Sequence, residues 1–160
     1  MWNILRIVEA VLTKPQPVFS TGQIIIPGLV PAAYAAGDAM GVQWKQAVPK
    51  SGTLQSASLW DLSDLNLQVN LTIASAPFFT QIADNAAFAL ADIDALMVVY
   101  QVDFTVFTDW INNRASFVEQ IGKLLKFPTG FMYLQAFAVP AQTVAANSVP
   151  VVQLDFLPDE

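Results

Sequence analysis

The residues in this chain that could do chemistry are a few carboxylates between positions 61 and 94. Histidine and cysteine are both absent, which excludes serine–histidine and cysteine–histidine nucleophilic systems and histidine-ligated metals. Asp92 and Asp94 are one residue apart, and with Asp84 and Asn85 nearby they could offer oxygen ligands to calcium. The spacing lacks the glycine and the distal glutamate of an EF-hand loop. We interpret these residues as turn and cap residues that bind backbone, and we expect no metal and no other cofactor.

Two carboxylates alone would suffice for a glycosidase. The candidates are Asp61, Asp64, Asp84, Asp92 and Asp94. Each lies where an aspartate is already expected as a turn residue that hydrogen-bonds the backbone. Neither a dinucleotide-binding glycine motif nor a phosphate-binding loop is present. We therefore expect no enzyme activity and no catalytic residue.

The four tryptophans, Trp2, Trp44, Trp60 and Trp110, allow two interpretations. Indole rings could form a stacking platform for sugars. Packing in the core or in a subunit interface is the more ordinary use of such large side chains, and it is the interpretation that we favour.

The composition predicts a single domain over residues 1–160 that associates with itself. Hydrophobic residues make up 54% of the 160 residues and charged residues only 12%, which leaves few charges to cover the surface of a monomer. The net charge is −6, and the seven basic residues are scattered, so we expect no nucleic-acid partner. No apolar run approaches the ~18 residues that span a bilayer, so we expect a soluble protein that does not bind a membrane.

The elements that must position these side chains are mostly strands. Alternation of apolar and polar residues is most regular over residues 66–74, where Leu67, Val69, Leu71 and Ile73 share one face and should lie in the core. Shorter or less regular strand patterns occur at 23–26, 42–48, 54–62, 98–107, 131–139 and 149–156. About eight or nine strands separated by turns predict an all-β antiparallel sandwich or jelly roll.

Helix is predicted only between residues 83 and 97, as one or two short turns, with Asp84 or Asp92 as the N-cap. Residues 1–12 fit either a helix or a strand, and we favour a strand because the rest of the chain is β. Residues 1–14 are thus a possible first strand or an arm that reaches a neighbour.

Two sets of apolar residues are candidates for contacts between subunits or with another protein. The strand at 131–139 is apolar on both faces. A small sandwich cannot bury both faces of a strand without another subunit. The candidates are Phe131, Tyr133 and Phe137 in that strand, and Trp2, Ile4 and Leu5 at the chain end.

Glycines frame the turn around Asp38. Gly37 and Gly41 should supply a positive φ or a close approach of two backbones. We group them with Asp38, Asp84 and Asn85 as structural turn residues.

Turn and strand signatures over residues 34–100 resemble those of small tailed-bacteriophage head proteins, the capsid decoration or cement proteins. The residues that carry the resemblance are Tyr34-x-x-Gly37-Asp38-x-x-Gly41, Gly52, Asp61, the strand at 66–74, Ala76-Pro77-Phe78 and Ala83-Asp84-Asn85-Ala86-Ala87-Phe88, with Asp92 following.

The resemblance implies a jelly-roll-like β-sandwich that forms a homotrimer. It also implies a place on the outside of a phage head, on a virion assembled in the bacterial cytoplasm, with the major capsid protein as partner. The alternative is a carbohydrate- or receptor-binding module of a phage tail or head fibre.

Overall fold

A computed structural model describes residues 17–111, 113–146 and 148–159. The predicted arm at residues 1–14, with Trp2, Ile4 and Leu5, lies outside this part of the chain. Within it, thirteen strands and one short helix form, and no helix there is long and apolar enough to cross a membrane.

The chain order begins with β1 Phe19–Ser20, β2 Ile24–Ile25, β3 Ala33–Tyr34, β4 Ala39–Ala47, β5 Ser51–Asp61, β6 Val69–Ala74, α1 Asp92–Ala95 and β7 Val98–Phe104. It continues with β8 Thr108–Asp109, β9 Arg114–Val118, β10 Lys123–Lys126, β11 Phe131–Ala138, β12 Gln142–Thr143 and β13 Pro150–Pro158.

Two antiparallel sheets have the connectivity of a jelly roll, and β3 and β12 form a separate two-stranded sheet. In the first sheet, β1 and β2 both pair with one edge of β13, β13 pairs with β5, both β9 and β10 pair with β5, and β8 pairs with β9. The second sheet has the order β4-β11-β6-β7. Without the two-residue strands β3, β8 and β12, and with β1/β2 and β9/β10 each counted as one interrupted strand, the eight strands have the order 1-8-3-6 in the first sheet and 2-7-4-5 in the second. This double Greek key confirms the predicted all-β sandwich.

The core lies between the two sheets and contains the alternating set predicted from residues 66–74. Leu67, Val69, Leu71 and Ile73 are all fully buried. On the opposite face of the same strand, the polar residue Thr72 is buried as well. Thr72 lies on the central strand β6, whose outer side is not open to solvent.

The strand β6 begins at Val69, later than the predicted residue 66. Asn66 has a positive φ of 56°, and the carboxylate of Asp61 accepts hydrogen bonds from the N–H groups of Leu65 and Leu67. These local bonds occupy donors that a regular strand would offer to its neighbour.

The structure confirms a short helix within residues 83–97, but both predicted N-caps, Asp84 and Asp92, are wrong. In that stretch only α1, four residues, is helical; its N-cap is Ala91, without a side-chain hydrogen bond. Residues 75–91, which we call the strap, instead run as irregular chain along the second sheet. Asp84 does not cap a helix because its carboxylate binds Tyr34 and Gly41.

No strand was predicted between residues 107 and 131, yet β8, β9 and β10 form there. The line of β9 and β10 is interrupted at residues 119–122, where Gln120 and Gly122 have φ values of 55° and 64°. Two short pieces of four and five residues give too little alternation to be recognised from sequence.

The strand β11 is central in the second sheet, between β4 and β6. Its inner side chains, such as Leu134, are fully buried, and the outward Gln135 is buried as well. The ring of Phe88, from the strap, stacks on Phe137 with centroids 4.7 Å apart and an interplanar angle of 10°. The chain's own strap therefore covers part of the two-faced strand.

Candidate functional site

The strap is fastened to the turn before β4 by the carboxylate of Asp84. The hydroxyl of Tyr34 lies 2.9 and 2.8 Å from Asp84 Oδ1 and Oδ2, and 2.8 Å from the carbonyl oxygen of Val30. The N–H of Gly41 donates to Asp84 Oδ1 at 2.5 Å, and the N–H of Val30 donates to Oδ2 at 3.4 Å. We call these four residues the Asp84 clasp.

Burial, and then the hydrogen bond and charge of Asp84, raise the pKa of the Tyr34 hydroxyl far above its ordinary value. The hydroxyl therefore keeps its proton at any physiological pH. It acts as a permanent donor in the clasp and is unsuited to acid–base chemistry.

The structure places all five predicted turn residues beside one another. Asp38 Oδ2 accepts the N–H of Ala35 at 2.7 Å, and Gly37 has a φ of 86°. Asn85, also left-handed with a φ of 58°, can donate its side-chain amide to Asp38 Oδ2 at 3.2 Å once its oxygen and nitrogen are assigned to suit their neighbours.

Gly41 is required by both conformation and space. Its φ is 78°, and a Cβ added there would lie 2.4 Å from the carbonyl oxygen of Pro27 and 2.8 Å from Cγ2 of Ile26. The N–H of Val42 also donates to the Pro27 carbonyl at 2.9 Å. The close approach of two backbones is thus what excludes a side chain.

A second buried carboxylate holds the beginning of the strap. Asp94, in α1, accepts the N–H groups of Phe79 and Thr80 at 2.6 and 3.1 Å. Burial of the carboxylate raises its pKa, but these bonds and one from the Thr80 hydroxyl lower it by more, so the net pKa lies below its ordinary value. Charge on Asp94 therefore stabilises the strap.

Within the described ranges, these carboxylates have a structural role, because they bind backbone N–H groups or other side chains. No group of three or more acidic residues there could hold a metal ion. Asp61 accepts the N–H groups of Ser63, Leu65 and Leu67. Asp64 forms an ion pair with Arg114.

Two of the tryptophans come together on the outer face of the first sheet. Trp60 on β5 lies 5.4 Å from Trp110 and 5.5 Å from Phe117 on β9, measured between ring centroids; we call these three residues the aromatic cluster. Trp110 and Phe117 are 43% and 44% exposed. Trp44 is buried in the core, so it belongs to neither the cluster nor the surface.

The hairpin that carries Trp110 is held by two ion pairs of Arg114, and its tip has one residue with a strained backbone. Arg114 Nε lies 2.5 Å from Asp64 Oδ1, and its Nη2 lies 3.3 Å from Asp109 Oδ2. At the tip, the exposed Ile111 has a φ of 73°, which a β-branched residue rarely adopts.

A row of polar side chains continues from the aromatic cluster along the same face. Ser58 lies opposite both Phe117 and Gln153, and Ser56 lies opposite Asp155. Asp155 accepts the Ser56 hydroxyl at 3.0 Å and the Gln153 amide at 3.2 Å. We call Ser56, Ser58, Gln153 and Asp155 the polar row.

Large apolar side chains are also exposed around α1 and the start of the strap. Phe79 is 70% exposed, Ile93 is 51% exposed and Leu96 is 81% exposed. Asp94 holds Phe79 beside α1 through the backbone. We call Phe79, Ile93 and Leu96 the α1 patch.

The contact candidates in β11 are half-buried. Phe131 lies under the ammonium group of Lys45, 4.8 Å from the ring centroid, and Phe137 lies under Phe88. Tyr133 points to the same outer side of the strand. The sequence analysis named Trp60 and Trp110 among four tryptophans that could form a stacking platform, but it did not group these two with Phe117, and it missed the α1 patch. The outward parity of Trp60 along β5 was the available signal for the grouping.

No protein-family model and no curated protein matches this chain. Among solved structures, it is similar to a chain of the capsid of Ralstonia phage GP4, with 15% identity, coverage of 92% of each chain and a TM-score of 0.40. It is also similar to a chain of the Kashmir bee virus virion, with 11% identity, coverage of 90% of this chain and 71% of that chain, and a TM-score of 0.32. At these identities and TM-scores, neither similarity says what this chain binds.

Proposed function

We propose that this chain is a non-enzymatic structural protein of a phage virion. In this proposal it is a decoration or cement protein that binds the outside of the head and clamps neighbouring subunits of the major capsid protein. The Asp84 clasp is the observation that carries the proposal. The resemblance is based on residues from two distant stretches of the chain. Three of them, Tyr34, Gly41 and Asp84, form one hydrogen-bonded unit, so the two stretches belong to one structural motif.

The rigidity of the scaffold supports a mechanical role. A shell around packed DNA is under internal pressure, and a stiff clip across subunit boundaries opposes their separation. Two packed antiparallel sheets supply stiffness, the strap being held to β3 and β4 by the Asp84 clasp and to α1 by Asp94, and a clip needs no catalytic group. Many copies on one shell would act together through avidity even if each contact is weak.

The α1 patch is the proposed capsid contact within the described residues. Phe79, Ile93 and Leu96 are exposed, and the Asp94 carboxylate holds the backbone of Phe79 beside α1, so binding would cost little backbone ordering entropy. Residues 1–14, with Trp2, Ile4 and Leu5, are the proposed arm. Phe131, Tyr133 and Phe137 remain proposed contacts, now as the rim of the surface next to the strap.

A homotrimer is the proposed oligomeric state. It would cover part of the exposed apolar surface that one copy leaves open. Sedimentation at micromolar concentration tests this, and a monomer of 17.4 kDa would contradict it.

The test of the proposed function uses phage heads assembled without this protein. The purified protein should co-sediment with such heads, and the complemented heads should retain DNA at higher temperature and after stronger osmotic shock than bare heads. If bare heads are as robust as complemented ones, the clamp proposal fails. The receptor-binding alternative would then be preferred.

A further inference from the structure

We propose a second binding site, for neutral polysaccharide, on the outer face of the first sheet. Its floor is the aromatic cluster, and its hydrogen-bonding groups are those of the polar row. The site does not depend on the proposed capsid role, because it uses a different face of the molecule from the α1 patch and the strap.

The aromatic cluster is arranged to offer ring surface to a ligand. Trp60, Trp110 and Phe117 lie within 6.0 Å of one another between centroids, and two of the three are more than two-fifths exposed. Trp60 Nε1 donates to Ser58 Oγ at 3.2 Å, which fixes the orientation of the indole. The rings are therefore preorganised, and stacking on them would cost little side-chain entropy.

The polar row supplies hydrogen-bond donors and acceptors, which an apolar partner would not need. A pyranose ring has an apolar C–H face and a rim of hydroxyl groups. The C–H face packs on the electron-rich face of an aromatic ring, while the hydroxyls need donors and acceptors. Ser58 and Gln153 lie one pleat away from Trp60 on the same face, and Ser56 and Asp155 lie one pleat further.

The charge of the polar row and the open shape of the sheet face narrow the class of ligand. Asp155 is the one charged member of the polar row, and it is acidic, so the row would repel phosphate, sulfate or nucleic acid. The site follows strands of an open sheet face, which suits an extended polymer better than a small molecule that needs an enclosed pocket. A neutral chain of pyranose units meets all of these conditions. Jelly rolls also occur in lectins, which is an analogy of fold only.

The test is affinity electrophoresis of the full chain in gels that contain dextran, amylose, galactomannan or mixed-linkage β-glucan, with heparin as the polyanionic comparison. We expect at least one neutral polymer to retard the protein and to change its tryptophan fluorescence. Trp110→Ala and Phe117→Ala should each weaken the interaction about tenfold, equivalent to ~1.4 kcal/mol. Phe79→Ala is the matched control, because it removes an exposed aromatic ring from outside the aromatic cluster and should leave the retardation by the polymer unchanged.

Gln153→Ala is a second variant that removes no ring, and it keeps the test decisive if a ring variant fails to fold. It should also weaken retardation while leaving the circular dichroism spectrum unchanged. The proposal is overturned if no neutral polymer retards the protein, if heparin alone does, or if all three variants are retarded like the parent. Loss of oligomerisation or of head binding in Trp110→Ala, without polymer binding by the parent, would identify the cluster as a protein contact instead.

Discussion

The hydroxyl of Tyr34 and the carboxylate of Asp84, 50 positions apart, meet at 2.8 Å. Tyr34 ends β3, and Asp84 lies in the strap. The same carboxylate accepts the N–H of Gly41 in β4. This one side chain therefore joins the strap to the turn that begins the second sheet, and its loss should loosen both.

Tyr34→Phe should lower the free energy of unfolding by about 1.5–3 kcal/mol, the usual range for a hydrogen bond to a charged group. Urea unfolding measures it, and the m-value should stay unchanged. Tyr133→Phe is the control, since the structure gives its hydroxyl no hydrogen bond to any described residue. Equal stability of the two variants would contradict a stabilising clasp.

Gly41→Ala should be much more destabilising than Gly22→Ala. Both glycines have positive φ values, 78° and 68°, so each alanine costs about 1–2 kcal/mol in backbone conformation. At Gly41 the new Cβ would also lie 2.4 Å from a carbonyl oxygen, whereas nothing lies within 4 Å at Gly22. Overpacking typically adds about 1–3 kcal/mol. Thermal unfolding of the pair decides whether the difference exists.

The attachment of the strap should weaken in acid. The pKa of Asp94 in the folded protein lies below its ordinary value of 3.8. Its contribution to stability is therefore fully present above the unfolded-state pKa and is lost as the pH falls through the folded-state pKa. The protection factors of the Phe79 and Thr80 amides, which are exchange rates corrected for the intrinsic dependence on pH, should fall below pH ~4, near the ordinary carboxyl pKa, when followed by NMR from pH 7 downwards.

Asp94→Asn should show faster exchange at the same two amides already at pH 7, with a smaller further change in acid, because an amide oxygen can replace only one of the two acceptors. Asp92→Asn is the matched control, since Asp92 is an exposed residue of the same helix. If both variants behave alike, the proposed role of Asp94 is wrong.

Head attachment should depend on the α1 patch and on the proposed arm. Phe79→Ser combined with Leu96→Ser should reduce co-sedimentation with heads, because the contact loses exposed apolar area. Val106→Ser is the control, at another residue that is 80% exposed.

Deletion of residues 1–12 should reduce head attachment more than it reduces the free energy of unfolding. Co-sedimentation and urea unfolding of the same truncated chain measure the two effects. A truncated chain that binds heads as well as the full chain would remove the arm from the proposal.

Local pattern was sufficient to identify the core face of a strand. The alternation of residues 66–74 predicted the burial of Leu67, Val69, Leu71 and Ile73, because side chains of a strand point alternately to its two faces. Pattern was insufficient for the caps of the short helix predicted within residues 83–97. Asp84 was a cap candidate, but tertiary contacts override such local preferences, and its carboxylate binds Tyr34 and Gly41 instead.

The sequence by itself determined the all-β class, the absence of histidine and cysteine chemistry and the need for glycine near Asp38, because these follow from composition and from neighbouring residues. Only the tertiary structure decided which partners the carboxylates have and which apolar side chains remain exposed. Asp84 reaches Tyr34 across 50 positions, and Trp60 reaches Trp110 across two strands of one sheet. Such contacts depend on strand order and register, which no local spacing encodes.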